Sequence, residues 1–270
     1  RVNQATGREV NLIGEGWNFG EVVNGSRFVQ ASQLSLADSG IGTFSDRARD
    51  AVRGGRAGDS GEAMISQQGY INGLVYAPNA NAPARPMADL LQAADMVRVG
   101  LAGSIRDYPL TTATDERRTL EQIPYGDQPG GYASQPSEVV NYVENHDNQT
   151  LFDANVYKLP KTTSREDRAR VQILGVAINA FSQGVAYFHA GTETLRSKSL
   201  DRNSFDSGDW FNQLDWSYRD NHFATGLPPT APALDIFEVP LHIVQDDRQS
   251  DELPLGSRGG IAVTYNAPVD

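Results

Sequence analysis

The sequence has no cysteine, no long apolar stretch and fewer basic than acidic residues. Without cysteine, neither disulfide bonds nor thiolate metal ligands can form. No run approaches the roughly 20 apolar residues that a membrane-spanning helix requires. Lysine and arginine number 23 against 34 aspartate and glutamate residues, which gives a formal net charge of −11. Nucleic acids and anionic membranes attract basic surfaces, so this charge argues against both as partners and fits an uncharged partner.

Residues 10–17 combine a short apolar run with a single carboxylate. Residues 10–13 are typical of a buried strand, and Gly14 and Gly16 flank Glu15 directly after it. Small neighbours let a substrate approach this carboxylate, and the indole of Trp17 offers an apolar wall that lowers the local dielectric. On its own the segment fits two interpretations equally: a functional acid, or a turn in which Glu15 is solvated or caps the loop.

A second apolar run, residues 139–143, ends in a polar turn that carries His146 and Asp147. Residues 185–189 predict another strand, and a helix is predicted between the two strands. Strand, helix and strand in this order form a βαβ unit with parallel strands. A lone His–Asp pair is more often a structural hydrogen bond than a functional site, so the turn alone does not decide between these readings.

The helix predicted between these strands begins at Ser164 and ends near Gly184. Asp167, three residues after Ser164, completes a start of the capping-box type, with Asp in place of the usual Glu. Apolar residues at helical spacing predict one buried face. They are Val171, Leu174, Ile178 and Phe181.

The rest of the pattern predicts two further helices separated by loops. Proline at position 86 suits the first turn of a helix that continues to residue 102. A shorter helix is predicted over residues 44–52. Residues 34–42 and 111–132 lack a clear period and are predicted as loops. Residues 57–84, rich in Gly, Ala, Asn and Pro, are predicted as a long surface excursion.

Five stretches of this chain together resemble the pullulanase and limit dextrinase branch of the alpha-amylase superfamily, glycoside hydrolase family 13. The resemblance extends from about residue 14 to residue 226, and its motifs are long and specific. The five stretches are GEGWNFGEV at residues 14–22, GIGTFSDRARDAVRGG at 40–55, NYVENHDNQTLFD at 141–153, GTETLRSKS at 191–199 and FDSGDWFN at 205–212.

The resemblance implies an α/β fold, namely the second half of a TIM (β/α)8 barrel. Residues 10–13 would then be barrel strand five, and residues 139–143 and 185–189 would be strands seven and eight. Catalytic residues at the carboxyl ends of strands suit that barrel. We therefore expect a partial catalytic barrel over residues 1–235.

The last part of the chain departs from the family pattern. Residues 237–244 and 260–265 are predicted as strands, where the family usually has a long last barrel helix. We therefore expect residues 236–270 to contain the start of a C-terminal β-sandwich domain.

By resemblance, two carboxylates of this chain take part in glycoside hydrolysis. Glu15 would be the general acid and later the general base, and Asp147 would hold sugar hydroxyls and strain the ring toward the transition state. His146 would donate to a hydroxyl of the same sugar, and Trp17 would stack on a sugar. The nucleophilic aspartate of the family belongs to the strand before Glu15, which is expected upstream of Arg1, so the chain alone is expected to be inactive.

The FDSGDWFN stretch follows the predicted last strand. The resemblance implies that Asp206, Asp209 and Asn212 bind sugar hydroxyls, while Asp206 and Asp209 are alternatively candidates for a structural calcium ion. His189 with Glu193 suggests zinc, although a histidine on an apolar strand is far more often structural. No cofactor is expected for the chemistry itself.

The function implied is retaining hydrolysis of α-1,6 branch linkages, with a branched α-glucan such as pullulan, amylopectin or a limit dextrin as the partner. Two alternatives remain open. One is a debranching enzyme that acts on glycogen, and the other is a catalytically inactive segment that binds carbohydrate.

Overall fold

A computed structural model describes residues 2–8 and 10–224 of the chain, which form a mixed α/β structure. The chain divides into two units. Unit 1 contains Arg1–Val52, Met87–Val143 and Ala177–Tyr187, and unit 2 contains Arg53–Pro86, Glu144–Val176 and the described residues from Phe188 onward.

Six α-helices and eight short strands lie in the described part of the chain, with several short 3-10 turns between them. The helices are α1 (Val2–Thr6), α2 (Asp46–Arg53), α3 (Gly61–Ser66), α4 (Met87–Leu101), α5 (Leu151–Lys158) and α6 (Arg165–Ala180). The strands are β1 (Leu12–Gly14), β2 (Ile41–Phe44), β3 (Pro109–Thr111), β4 (Arg117–Thr119), β5 (Pro124–Tyr125), β6 (Gln128–Pro129), β7 (Val139–Asn141) and β8 (Val185–Ala186).

A four-stranded parallel sheet in the order β1-β2-β7-β8 organises unit 1. In its register Thr43 of β2 pairs with Val139 of β7, and Val140 pairs with Val185 of β8. All three residues of β7 are buried, because β7 has a strand on each side. The predicted βαβ unit is confirmed, since α6 connects two adjacent parallel strands.

Strand β1 forms almost where residues 10–13 predicted it, but the prediction that it is buried is wrong. Leu12 and Ile13 are 50% and 49% exposed. The physical reason is position, because β1 lies at an edge of the sheet and pairs with β2 alone among the described strands. The described residues therefore cover only about half of each of these two side chains.

Strand β2 is absent from the sequence-based prediction, which assigned a loop to residues 34–42 and began a helix at residue 44. Gly42 interrupts the apolar pattern and conceals the strand. A Cβ atom at this position would lie 3.0 Å from Ile13 Cγ2 and 3.0 Å from the Ser137 carbonyl oxygen. Glycine inside a strand commonly marks such a close approach.

Helix α4 matches the prediction for residues 86–102, whereas the loop predicted for residues 111–132 is wrong in part. That segment contains most of two small antiparallel hairpins, β3–β4 and β5–β6. The reason is tertiary, because isolated apolar residues in a polar stretch are buried against α4. This cluster contains Met96, Val99, Leu110, Leu120 and Ile123.

In unit 2, the prediction that residues 57–84 are a surface excursion is wrong in part, because residues 76–84 are mostly exposed but the preceding part contains buried residues. Helix α3 lies within this segment, and Met64, Gln68, Ile71 and Asn72 are buried. Hydrogen bonds from buried polar side chains hold this segment together. The Gln68 amide donates to the Asn72 and Lys158 carbonyl oxygens at 2.6 and 2.9 Å. Composition alone indicates a loop, because it does not show which amides are buried and paired.

Helix α6 begins as predicted, since the Asp167 N–H donates to the Ser164 hydroxyl at 3.1 Å. Its predicted buried face is wrong in part. Leu174 and Phe181 are 43% and 79% exposed, whereas Gln172 and Asn179 are buried. The Asn179 amide is used structurally, because it donates to the Tyr187 carbonyl oxygen at 2.6 Å.

None of the helices in the described ranges has the length and apolar character needed to cross a membrane. The predicted domain start at residues 236–270, with its strands at 237–244 and 260–265, lies outside the described residues.

Candidate active site

Glu15 follows β1 directly and is exposed. The second glycine of the G-E-G sequence, Gly16, is required for a steric reason. Its φ is +73°, and a Cβ atom added there would lie 2.7 Å from Thr43 Cγ2. The Gly16 carbonyl oxygen also accepts the Gln33 N–H at 2.8 Å. Within residues 2–8 and 10–224 the Glu15 carboxylate has no hydrogen-bond or ion-pair partner. This carboxylate is therefore available to a ligand.

Trp17 is half-buried and lies close to a buried cation. The Arg49 guanidinium carbon is 5.7 Å from the centre of its ring. Arg49 is ion-paired to Asp50 at 2.7 Å and donates to the Tyr142 hydroxyl. The indole is thus fixed by a cation–π contact, while Glu15 remains exposed rather than enclosed beside it.

His146 and Asp147 lie in the loop that follows β7, and both side chains are exposed, by 68% and 50%. The imidazole Nε2 is 3.3 Å from Asp147 Oδ1. The Asp147 N–H donates to the Asn145 side-chain oxygen at 2.9 Å. The two side chains predicted to bind sugar are therefore exposed to solvent, and the loop that carries them has a hydrogen-bonded backbone.

A buried carboxyl group, Glu144, lies at the start of this loop. It accepts the N–H of Leu151, the first residue of α5, and its Oε1 has no partner among the described residues. Burial raises the pKa of Glu144 to about 7, which the charges of Arg53 and Arg196 only partly counteract. Glu144 therefore titrates near neutral pH.

Asp206 and Asp209 are exposed on two short 3-10 turns, so their carboxylates are accessible as predicted ligands for sugar. The Asn212 amide is instead committed to the loop, because it donates to the Ser204 and Gly208 carbonyl oxygens at 2.8 and 3.1 Å. Among the described residues, no group of three His, Asp or Glu side chains is arranged to hold a metal ion. The calcium alternative stays a prediction.

The structure gives His189 a structural role. Its Nε2 lies 3.0 Å from a guanidinium nitrogen of Arg196 and accepts a hydrogen bond from it. Burial, with the charges of Arg196 and Lys198, lowers the pKa of His189 to about 3, so the ring is neutral at physiological pH. These contacts favour the structural interpretation over zinc.

Of the seven predicted site residues, Glu15 and Trp17 belong to unit 1, and the other five belong to unit 2. The structure thus brings together His146 with Asp147, and Asp206 with Asp209 and Asn212 on neighbouring turns.

Comparison with known proteins adds to this geometry. No protein-family model matches the chain. The chloroplastic pullulanase 1 of Arabidopsis thaliana is 45% identical over 227 residues, and a pullulanase of Klebsiella aerogenes is 43% identical over 230 residues. Each alignment covers 83% of this chain. Over most of its length the chain is therefore similar to pullulanases. The resemblance seen in its motifs is thus confirmed.

Solved structures of pullulanases are also similar to this chain. A maltotriose complex of PulA from Klebsiella pneumoniae superimposes with a TM-score of 0.77 at 41% identity, over 82% of this chain and 23% of that chain. The chain spans 23% and 20% of the length of the two curated pullulanases. The similarity is therefore to one part of each of these pullulanases.

Residues that support the pullulanase motifs were missed by the sequence analysis. Lys198, Asp153 and Arg202 are held in contacts beneath the His146 loop, although each looks like an ordinary surface charge in the sequence. The sequence contains one signal of their role, because Asp153 and Lys198 lie inside the stretches NYVENHDNQTLFD and GTETLRSKS that carry the resemblance. Only contact information shows what these residues do.

Proposed function

We propose that this chain is a segment of an enzyme that hydrolyses α-1,6 linkages in branched α-glucans such as pullulan, starch and limit dextrins. The observation that carries the proposal is the 45% identity to a pullulanase across most of this chain. The Glu15 carboxylate, which is exposed and has no partner among the described residues, supports it, because acetal cleavage needs an acid that can reach the leaving oxygen.

The proposed roles follow the chemistry of retaining glycosidases. Glu15 protonates the leaving oxygen and then activates water, and Asp147 with His146 holds sugar hydroxyls. Trp17 stacks on a sugar, and Asp206 and Asp209 bind sugar hydroxyls. Asn212 contributes through its side-chain oxygen, because its amide nitrogen is hydrogen-bonded within the loop. The nucleophile is proposed to belong to a part of the enzyme outside this chain, which spans 23% of the length of the Arabidopsis pullulanase.

The proposed architecture is the second half of a (β/α)8 barrel over residues 1–235, followed by the start of a β-sandwich at 236–270. Four parallel strands in the order β1-β2-β7-β8 support the barrel. Parallel sheets of this kind carry their chemistry at the carboxyl ends of strands, and Glu15 comes directly after β1.

The test is hydrolysis by the full-length protein of pullulan and, in parallel, of unbranched amylose. Release of maltotriose from pullulan with little action on amylose is the expected result. Cleavage of amylose alone would overturn the α-1,6 assignment. The anomeric form of the first product, followed by proton NMR, checks retention, and glycogen as a third substrate separates a glycogen-debranching enzyme.

A second candidate function is carbohydrate binding without catalysis. It is favoured by the exposed His146–Asp147 pair, which a sugar can reach. Calorimetry of the chain with maltotriose tests it. Binding without hydrolysis by the full-length protein supports this candidate, and absence of heat with any α-glucan counts against it.

A further inference from the structure

We propose that Lys198 is a positioning residue that fixes the backbone of the His–Asp loop, residues 145–150, and thereby the direction of the Asp147 carboxylate. The role in catalysis rests on the function proposed above. The contact itself does not, because it is a property of unit 2 alone.

The Lys198 side chain is only 1% exposed, and its ammonium nitrogen donates to the His146 carbonyl oxygen at 2.9 Å. Removing an ammonium group from water is unfavourable unless the group is paired and hydrogen-bonded. The negative charges of Asp153, Asp201 and Asp147 partly offset that cost. Because this burial is unfavourable, the hydrogen bond from the Lys198 ammonium indicates that the position of the His146 carbonyl group matters to the protein.

The backbone of Lys198 is itself anchored to α5 by a buried carboxylate. Asp153 is fully buried and accepts the Lys198 N–H at 2.8 Å, the Leu200 N–H at 3.3 Å and the Ser197 hydroxyl. Three donors on one carboxylate leave the segment around Lys198 little freedom. The lysine therefore reaches the His–Asp loop from a rigid support.

The segment next to Lys198 also holds strained backbone. Ser199 and Leu200 have φ values of 51° and 67°, in the left-handed region that non-glycine residues rarely adopt. Such conformations are unfavourable and persist only where surrounding contacts determine them. The Asp153 hydrogen bonds to Lys198 and Leu200 supply those contacts.

A second contact holds the same loop on the other side of Asp147. The Asn148 N–H donates to the Arg202 carbonyl oxygen at 3.1 Å. The Arg202 guanidinium donates in turn to the Ala57 and Asp59 carbonyl oxygens at 3.0 and 2.8 Å. Asp147 therefore lies between two residues whose peptide groups are fixed, His146 by Lys198 and Asn148 by Arg202.

Burial keeps Lys198 from binding a sugar itself, so its effect on the reaction passes through the loop. A displacement of about 1 Å in a catalytic group can reduce the rate by about 10²-fold. Loss of the ammonium contact is thus expected to lower kcat/KM for pullulan by about 10- to 100-fold.

The experiment compares Lys198→Met with wild type and with Lys161→Met, a matched loss of an exposed lysine in the same unit. Amide hydrogen exchange of the full-length protein is expected to quicken in residues 145–150 for Lys198→Met and to stay unchanged for Lys161→Met. Lys198→Arg, which keeps the charge and the donor, is expected to lie nearer to wild type. Lys198→Gln, whose amide is too short to reach His146, replaces Lys198→Met if the latter does not fold.

A double-mutant cycle with Asp147→Asn separates positioning from general destabilisation. If Lys198 acts through Asp147, Lys198→Met lowers the residual activity of Asp147→Asn much less than it lowers that of wild type. Equal losses in both backgrounds, or unchanged exchange in residues 145–150, would overturn the proposal. Failure of the full-length protein to cleave pullulan would overturn the proposed function, while the exchange measurement would still decide the role of Lys198.

Discussion

The loop after β1 and the loop after β7 both present an exposed carboxylate, but they hold it by different means. The first depends on close packing, because Gly16 lies against Thr43 where no side chain fits, and Glu15 has no partner in the described chain. The second depends on buried polar groups, since Lys198 holds the His146 carbonyl oxygen and Glu144 binds the start of α5. Packing is insensitive to pH, whereas buried charges are not, so the two loops should respond differently to mutation and to pH.

The largest effect is expected for Glu15→Gln in the full-length protein. Gln keeps the shape but has no proton to give, so turnover of pullulan should fall by about 10²–10⁴-fold with little change in binding. The loss should be smaller on an activated aryl glycoside, whose leaving group needs no proton. Glu21→Gln, an exposed neighbour, is the control and should retain activity. Equal losses on both substrates would assign Glu15 to positioning instead.

The effect of Asp147→Asn, unlike that of Glu15→Gln, is expected not to depend on the substrate. It should lower the turnover of pullulan and of the activated glycoside alike, by about 10²–10³-fold, because holding and distorting the sugar matters for both. Steady-state kinetics on the two substrates check this. A variant that recovers on the activated substrate would contradict the assigned role and suggest an acid at Asp147.

Glu144→Gln tests the pH sensitivity of the second loop. The folded protein keeps the Glu144 proton up to a pKa of about 7, against an ordinary value of 4.5. Its contribution to stability is therefore fully present below pH 4.5 and is lost as the pH rises through about 7. Gln resembles the neutral acid. The free energy of unfolding of the variant should therefore be close to that of wild type near pH 5 and higher by roughly 2–3 kcal/mol near pH 9.

Thermal unfolding of wild type and Glu144→Gln at the two pH values measures this difference. Lys198 also titrates in this range, since burial lowers its pKa to about 8, but it is present in both proteins and its effect largely cancels. A difference between the two proteins that is the same at both pH values would contradict the assignment to Glu144.

The smallest effect is expected for Trp17→Leu. Loss of the cation–π contact with Arg49 should destabilise unit 1 by about 0.5–1 kcal/mol. If Trp17 also stacks on a sugar, KM should rise while kcat stays close to wild type. Trp216→Leu, at an exposed tryptophan, is the control. A loss of stability with unchanged KM would leave Trp17 a structural residue only.

Much of the candidate site was predictable because it is written in local sequence. Glu15 between two glycines, the His146–Asp147 pair and the capped start of α6 each depend on residues close together in the chain. The supports were not predictable, because Lys198 and His146 are 52 positions apart and their contact depends on the fold. For the same reason the sequence concealed β2, whose Gly42 is needed only because other strands approach it.

By itself the sequence determined the family, the parallel βαβ unit and the identity of the exposed groups that carry chemistry, because motifs and periodicity are local properties. Tertiary structure decided which charged groups are buried and what they hold. Lys198, Glu144 and Asp153 resemble solvated charges in the printed sequence, yet each is buried in unit 2. Burial changes their physics, since removing a charge from water shifts its pKa and makes every hydrogen bond it forms matter to the loop it supports.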